Sequence, residues 1–280
     1  MSDATAAFPF LQSKPVPNTS FPLSAANAAP LPFTTAPPAQ YFVAVDPHHV
    51  LPRTYEWNAA AERTLGKADV VTITYLGAAG RKLMRQDLYI APNPNFPAEV
   101  DVMRNGATSS YQALQTQFRH RLAHGLQTLL SYSWAHAIDD VSTDGYFVNV
   151  RPGLSPSERG SSDYDIRQTF SGAVSYNIPV PGSGILKSIF GNWSTDSIVY
   201  ARTAPPVNVV TGKAPFGGPL SGQYGAFRPD LVSGVPLWIG DPNVAGGKRI
   251  NRAAFSVPAT PRQGTLGRNA RADSARPRST

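Results

Sequence analysis

Between Tyr55 and Arg202 the chain repeatedly alternates apolar with polar residues at period two, the repeat of a strand whose successive side chains meet different surroundings. In TYEWNAAAERT, Tyr55, Trp57, Ala59 and Ala61 share one face, against Glu56, Asn58 and Glu62. In DVVTITYLGAAGRKL, Val71, Ile73 and Tyr75 oppose Thr72 and Thr74, and the stretch from Gly77 to Gly80 fits a bulge within one long strand. The same split recurs in SYQALQTQFRHR, GLQTLLSYSWAHA and RQTFSGAVSYNI. It weakens in WSTDSIVYART, where Ile198 and Tyr200 fall on the polar side. The pattern predicts antiparallel strands over 55–63, 70–83, 110–121, 126–137, 167–178 and 193–203. Trp57, Tyr75, Leu130, Tyr132, Val174 and Tyr176 belong on the outer surface of that sheet, with Gln115, Ser131 and Arg167 inside.

The connections alternate in length. TLGKAD around Gly66 and LAHG around Gly125 read as tight turns, whereas 85–109 and 138–165 read as long loops rich in Pro, Gly, Asp and Ser. Short turns at one end and long loops at the other are the asymmetry of an outer-membrane barrel. The connection from Ile178 to Trp193 is longer than this scheme wants. Val207 to Thr211 and a segment near Leu237 are two further strand candidates.

Period two fits a soluble β-sandwich as well as a barrel, because both oppose an apolar and a polar face. Two features favour the barrel. The segments match a tilted bilayer span of ~9–11 residues and exceed the usual soluble strand of ~5–6. Tyr55, Trp57, Trp134, Tyr176 and Trp193 stand near strand ends, where interfacial girdles belong. A secreted β-sandwich binding or adhesion module is the alternative.

Residues 1–52 carry ten prolines and three charged side chains, Asp3, Lys14 and Asp46, and read as extended or loop. Charged residues make up 15% of the whole, which suits strands in lipid better than a soluble helical protein. No window reaches the ~18 apolar residues of a spanning helix. The absence of cysteine excludes disulfides and thiol chemistry. The net charge of +7 is read as a property of the tail, where Arg262, Arg268, Arg271, Arg276 and Arg278 meet one acid, Asp273. That tail has no aromatic platform for nucleic acid, so no nucleic-acid partner is expected.

Several phrases then carry a family likeness: TYEWNAAAERTL, ITYLGAAGRKL, SSYQALQTQFRHRLAHGLQTLLSYSWAHAIDD, RGSSDYDIRQTFSGAVSYNIPVP, FGNWSTDSIVYARTAPPVNVVTG, RPDLVSGVPLW and GTLGRN. In this order they resemble the barrel of Oar-like TonB-dependent receptors over most of 53–269. The resemblance implies a barrel of about 22 strands around a plug, outer-membrane lipid as surroundings, and energy delivered by the TonB complex to move a ligand. No plug, TonB box or secretion signal is recognisable, and the chain closes on ARADSARPRST. The expected fold is therefore all-β. Residues 53–269 form part of an antiparallel transmembrane β-barrel sheet, unclosed, with long loops; 1–52 is extended, and 270–280 is a disordered Arg-rich tail. On this reading the chain is a receptor fragment in the outer membrane, inactive alone, and its ligand is unknown.

No enzyme is expected. His136, Asp139, Asp140 and Ser133 are close in sequence but offer neither a full metal set nor a nucleophile elbow. His48, His49, His120 and His124 read as solvated. Gly182 and Gly184 lack the G-x-G-x-x-G spacing, and Gly212 before Lys213 lacks the earlier glycine of a phosphate loop. No catalytic, metal or cofactor residue is assigned. Gln115, Gln117, Arg119, Arg167, Thr169 and Ser171 are read as a polar interior wall, with no ligand role given to any of them.

Overall fold

The computed structural model describes residues 8–10, 16, 21–39, 41–90, 92–97, 99–142, 147–149, 159–179, 184, 191, 193–211, 228–244, 246–259 and 264–269. Six long strands make one sheet: β2 (Arg53–Leu65), β3 (Asp69–Ile90), β4 (Glu99–Ala123), β5 (Leu126–Asp139), β8 (Gln168–Asn177) and β9 (Ser194–Arg202). Each pairs antiparallel with the next in the order β2-β3-β4-β5-β8-β9. All six predicted strands are present in one meander. β2 and β9 each have one unpaired edge, so among the described residues the sheet is open.

The register converts the alternation into two continuous faces. Ala59, Tyr75, Leu114 and Trp134 stand opposite one another, as do Ala61, Ile73, Thr116, Tyr132, Phe170 and Ala201. On the reverse face, Glu62, Thr72, Gln117, Ser131, Ser171 and Tyr200 form one row. Trp57, Tyr75, Leu130, Tyr132, Val174 and Tyr176 thus share the apolar side, and Gln115 and Ser131 the polar one. Trp57, Tyr75, Tyr132 and Trp134 are 40% to 53% exposed. A sandwich would bury them under a second sheet, and none covers them among the described residues.

The turns explain why the hairpins close where they do. His124 (φ 51°) and Gly125 (φ 81°) both have positive φ, as a two-residue I′ hairpin requires. The irregularity expected between Gly77 and Gly80 lies one step later: the β3–β4 register shifts between Gly80 and Leu83 and again before Arg85. Gly77 has a different purpose. A Cβ there would lie 2.2 Å from the Trp57 indole, which rests over its backbone.

Three expectations need correction. The stretch 85–109 is not a long loop, because β3 runs to Ile90 and β4 starts at Glu99. Its sequence alternates only briefly, over Glu99 to Val102, and buried Asp87 and Asp101 interrupt the hydrophobic code. Residues 1–52 are not wholly irregular: α1 (Ala25–Ala28) is a single turn capped by Ser24, and β1 (Tyr41–Val45) pairs in parallel with β4. Val207–Thr211 forms no strand. The segment near Leu237 forms β11 (Trp238–Gly240), which pairs with β12 (Lys248–Ile250) in a separate two-stranded sheet.

The remaining short strands are β6 (Phe147–Asn149) on β3, β7 (Gly160–Ser161) on β5, and β10 (Asp230–Leu231) with β13 (Phe255–Ser256). All of them, with β1 and the arms Arg81–Ile90 and Glu99–Thr108, lie at or beyond the long-connection end of the sheet. Most of the 178–193 connection and all of 270–280 lie outside the described residues.

Ile73 is near the middle of the apolar face and its neighbour Thr74 is on the polar face. Ile73→Arg should therefore cost about 2–4 kcal/mol of membrane insertion, and Thr74→Arg much less. The measurement is insertion yield into vesicles; equal losses for the two variants would reverse the assignment of faces.

Candidate outer-loop site

At the long-connection end, chain segments far apart in sequence are tied by polar contacts. Arg268, whose side chain is fully buried, donates to the Asp139 carboxylate and to its backbone oxygen, to Ser142 Oγ, and to Asp163 Oδ1 at 3.2 Å. Burial disfavours the guanidinium cation. Asp139 and Asp163 outweigh it and hold the pKa above the ordinary arginine value. Asn269 Nδ2 donates to Ser161 O at 2.8 Å and to Asp163 Oδ1 at 2.6 Å. Gly160 is required by close approach, since a Cβ there would stand 2.5 Å from Arg268 O.

A second tie extends the first. Gly264 and Leu266 donate backbone N–H groups to Arg228 O and Pro229 O, Thr265 donates its N–H to Asp230 Oδ1, and Leu231 donates to Thr265 Oγ1. The phrases AHAIDD, RGSSDYDIR, RPDL and GTLGRN, separated by up to 129 residues, therefore meet in one place.

The chain between β7 and β8 continues this pattern along β5. Ser162 donates to Ala137 O, and Ala135 donates to Arg167 O. Asp165, 1% exposed, accepts the Ala137 N–H at 2.9 Å and contacts His136 Nδ1 at 3.0 Å. Asp140 accepts both the N–H and the hydroxyl of Thr108.

The hairpin arms beyond the sheet hold two buried acids. Asp87 is paired with Arg85 and Arg104. Asp101 accepts from the Tyr41 hydroxyl at 3.0 Å, which fastens β1 to β4. Burial pushes the Asp101 carboxyl up to about 6, against the opposing pull of the Tyr41 hydrogen bond.

The residues weighed from sequence do not converge. His136 lies on the apolar side of β5 while Ser133 and Asp139 lie on the polar side, and Asp140, just past the end of β5, is held on Thr108, so the four do not converge. Among the described residues no three His, Asp or Glu side chains are grouped to hold a metal. His120 is not simply solvated: its Nδ1 lies 2.6 Å from Asp69 Oδ1. His124 is exposed in its turn, and His48 is 3.4 Å from Asp46 with His49 exposed beside it. Gly184 is exposed with φ 94°, while Gly182, Gly212 and Lys213 lie outside the described residues.

Gln115, Gln117, Arg119, Thr169 and Ser171 do share the polar face, and Arg167 continues it at the start of β8. Arg268 does not belong to a charged tail. Arg262, Arg271, Arg276 and Arg278 lie outside the described residues. Sequence reading missed the Arg268 tie, the Tyr41–Asp101 fastening and the Asp87 cluster. The available signal was charge kept inside loop phrases of a charge-poor chain.

A family model described as "Outer membrane beta barrel domain" matches residues 1–276. No curated protein and no solved structure matches the chain.

Two predictions follow from these contacts. Arg268→Ala strands the buried Asp139 carboxylate and should cost about 3–5 kcal/mol locally. Gly160→Ala should push the same segment away by collision. Both should expose 264–269 and 160–165 to hydrogen exchange, and unchanged protection would remove the tie from its structural role. For β1 the sign comes from a raised folded pKa. The Asp101 contribution is fully present below the ordinary carboxylate value of 3.8 and is lost as pH rises through about 6. Protection of Phe42 to Val45, corrected for intrinsic exchange, should fall between pH 4 and pH 7, and Asp101→Asn should flatten the profile.

Proposed function

Since the chain belongs to the outer membrane beta barrel domain family, we propose that its sheet is one wall of a TonB-dependent, Oar-like receptor that takes up a ligand from outside. The family places the protein in the outer membrane. The finer reading is supported above all by the meeting of AHAIDD, RGSSDYDIR, RPDL and GTLGRN in one buried polar tie. These phrases resemble that receptor group in order, and here they are neighbours in space.

On this reading the polar wall of Gln115, Gln117, Arg119, Thr169 and Ser171 lines the interior, against a plug or a passing solute. The outer tie holds the loops that a ligand meets first. The protein is a transport component and not a catalyst, and its energy comes from TonB. Closure around a plug requires strands on the free edges of β2 and β9, because backbone groups in hydrocarbon must all be paired.

The absence of cysteine makes a topology test direct. Asn105→Cys, on the long hairpin, should react with an impermeant maleimide on intact cells, whereas Gly66→Cys and His124→Cys should react only after the outer membrane is opened. In the same cells, cross-linking should join the protein containing this sheet to TonB. Consistent failure to cross-link, with correct topology retained, would leave an outer-membrane barrel and reject the TonB-dependent reading. The 280-residue chain alone should give no discrete conductance in planar bilayers, since the six spanning strands among the described residues leave two edges unpaired.

A further inference from the structure

On the apolar face, just beyond the aromatic positions at the long-connection end, the register sets like charges against each other. Arg53 of β2 stands directly opposite Arg81 of β3, one alternation beyond the Tyr55 and Ala79 pair. Like charges in that relation repel unless something neutralises them. Both are exposed, and among the described residues no carboxylate pairs with either. Arg81 donates to Gly80 O and Ser109 O, which orients its guanidinium without cancelling its charge.

A third arginine, just before β7, reaches the next strand with its side chain. Arg159 donates to Thr108 Oγ1 at 2.7 Å and to Ser110 Oγ at 3.2 Å, both on the apolar side of β4, and is 44% exposed. Arg159 is ion-paired with Asp140, its guanidinium 3.7 Å from Asp140 Oδ1. Asp140 also accepts the Thr108 N–H and hydroxyl through its other oxygen, but these neutral donors leave its charge in place to offset Arg159. The margin thus carries three cations against the one carboxylate of Asp140, spread over β2 to β4, a width of ~10 Å, and the Arg53–Arg81 pair is left without an anion of its own.

We propose that this margin binds the phosphate-bearing headgroup of an anionic outer-leaflet lipid. The inference rests on the membrane reading of the apolar face. Tyr55, Trp57 and Trp134 supply a belt at headgroup level, and the arginines lie immediately outboard of it, where their stems can follow the chains while the guanidiniums meet phosphate. Guanidinium binds phosphate oxygens by paired N–H donors, which suits this row better than a diffuse counter-ion cloud. The apolar surface and the cationic margin are continuous, so the occupant needs both acyl chains and an anionic head.

The test uses the full chain in phosphatidylcholine vesicles containing a minor fraction of phosphatidylglycerol. Lipid retained after detergent extraction is counted by mass spectrometry, and embedding is followed independently by tryptophan emission. Phosphatidylglycerol should be enriched roughly fivefold per engaged arginine over its share of the vesicle. Arg53→Gln with Arg81→Gln should remove most of that enrichment while embedding persists. Arg249→Gln, on the separate β11–β12 hairpin, controls for loss of charge alone and should leave it intact. Embedding without enrichment, or equal loss in the control, overturns the lipid site but spares the membrane reading. Displacement of the lipid by inorganic phosphate at matched concentration overturns the lipid as occupant. A chain that stays soluble and monomeric beside the vesicles overturns both.

Discussion

A backbone N–H or C=O left unpaired in hydrocarbon costs several kcal/mol, so a strand can cross a membrane only with a neighbour on each side. This constraint governs the main sheet. It explains why six strands run as one meander, why the turns at one end are as short as His124–Gly125, and why the register stays unbroken through the spanning rows. Side chains are secondary to that ladder within the membrane. Lipid accepts almost any apolar residue, so Ala59, Tyr75 and Trp134 serve in one row without packing against a core.

Outside the hydrocarbon the balance reverses. Water can pair a backbone group, so the ladder is no longer obligatory and side chains decide the structure. The hairpin arms of β3 and β4 continue as a sheet because β1 and β6 pair in parallel along them and because Asp87 and Asp101 are held by Arg85, Arg104 and Tyr41. Most buried charges among the described residues sit in this outer part: Asp87, Asp101, Asp139, Asp165, Arg228 and Arg268. Breaking one partner of such a contact leaves the other uncompensated, a penalty paid far from the spanning sheet.

That division sets what the sequence made legible. Period two reports a difference between two solvents, and it is clear wherever lipid lies on one side and a polar interior on the other. Five of the six spanning strands were visible for that reason, whereas β9 alternates weakly, with Ile198 and Tyr200 on the polar side. The outer arms were hidden because their environment is not lipid against water. There Asp87 and Asp101 are buried, and the alternation reads as polar loop although the backbone is strand. Arg268 was hidden differently: its partners Asp139 and Asp163 are more than a hundred residues away, and local composition cannot tell a paired arginine from a solvated one.

The resemblance phrases reconcile the two regimes. AHAIDD ends β5 as it leaves the membrane, RGSSDYDIR brings the chain back to β8, and GTLGRN arrives from beyond both. Beside the buried Leu266, polar contacts tie these phrases together. Each supplies a group that another lacks: Asp139 and Asp163 give acceptors, Arg268 and Asn269 give donors, and Gly160 gives the space in which they meet. A loop cluster so assembled is anchored where it joins the sheet. Polar ties at that end can thus hold the chain segments in place without disturbing the ladder beneath them.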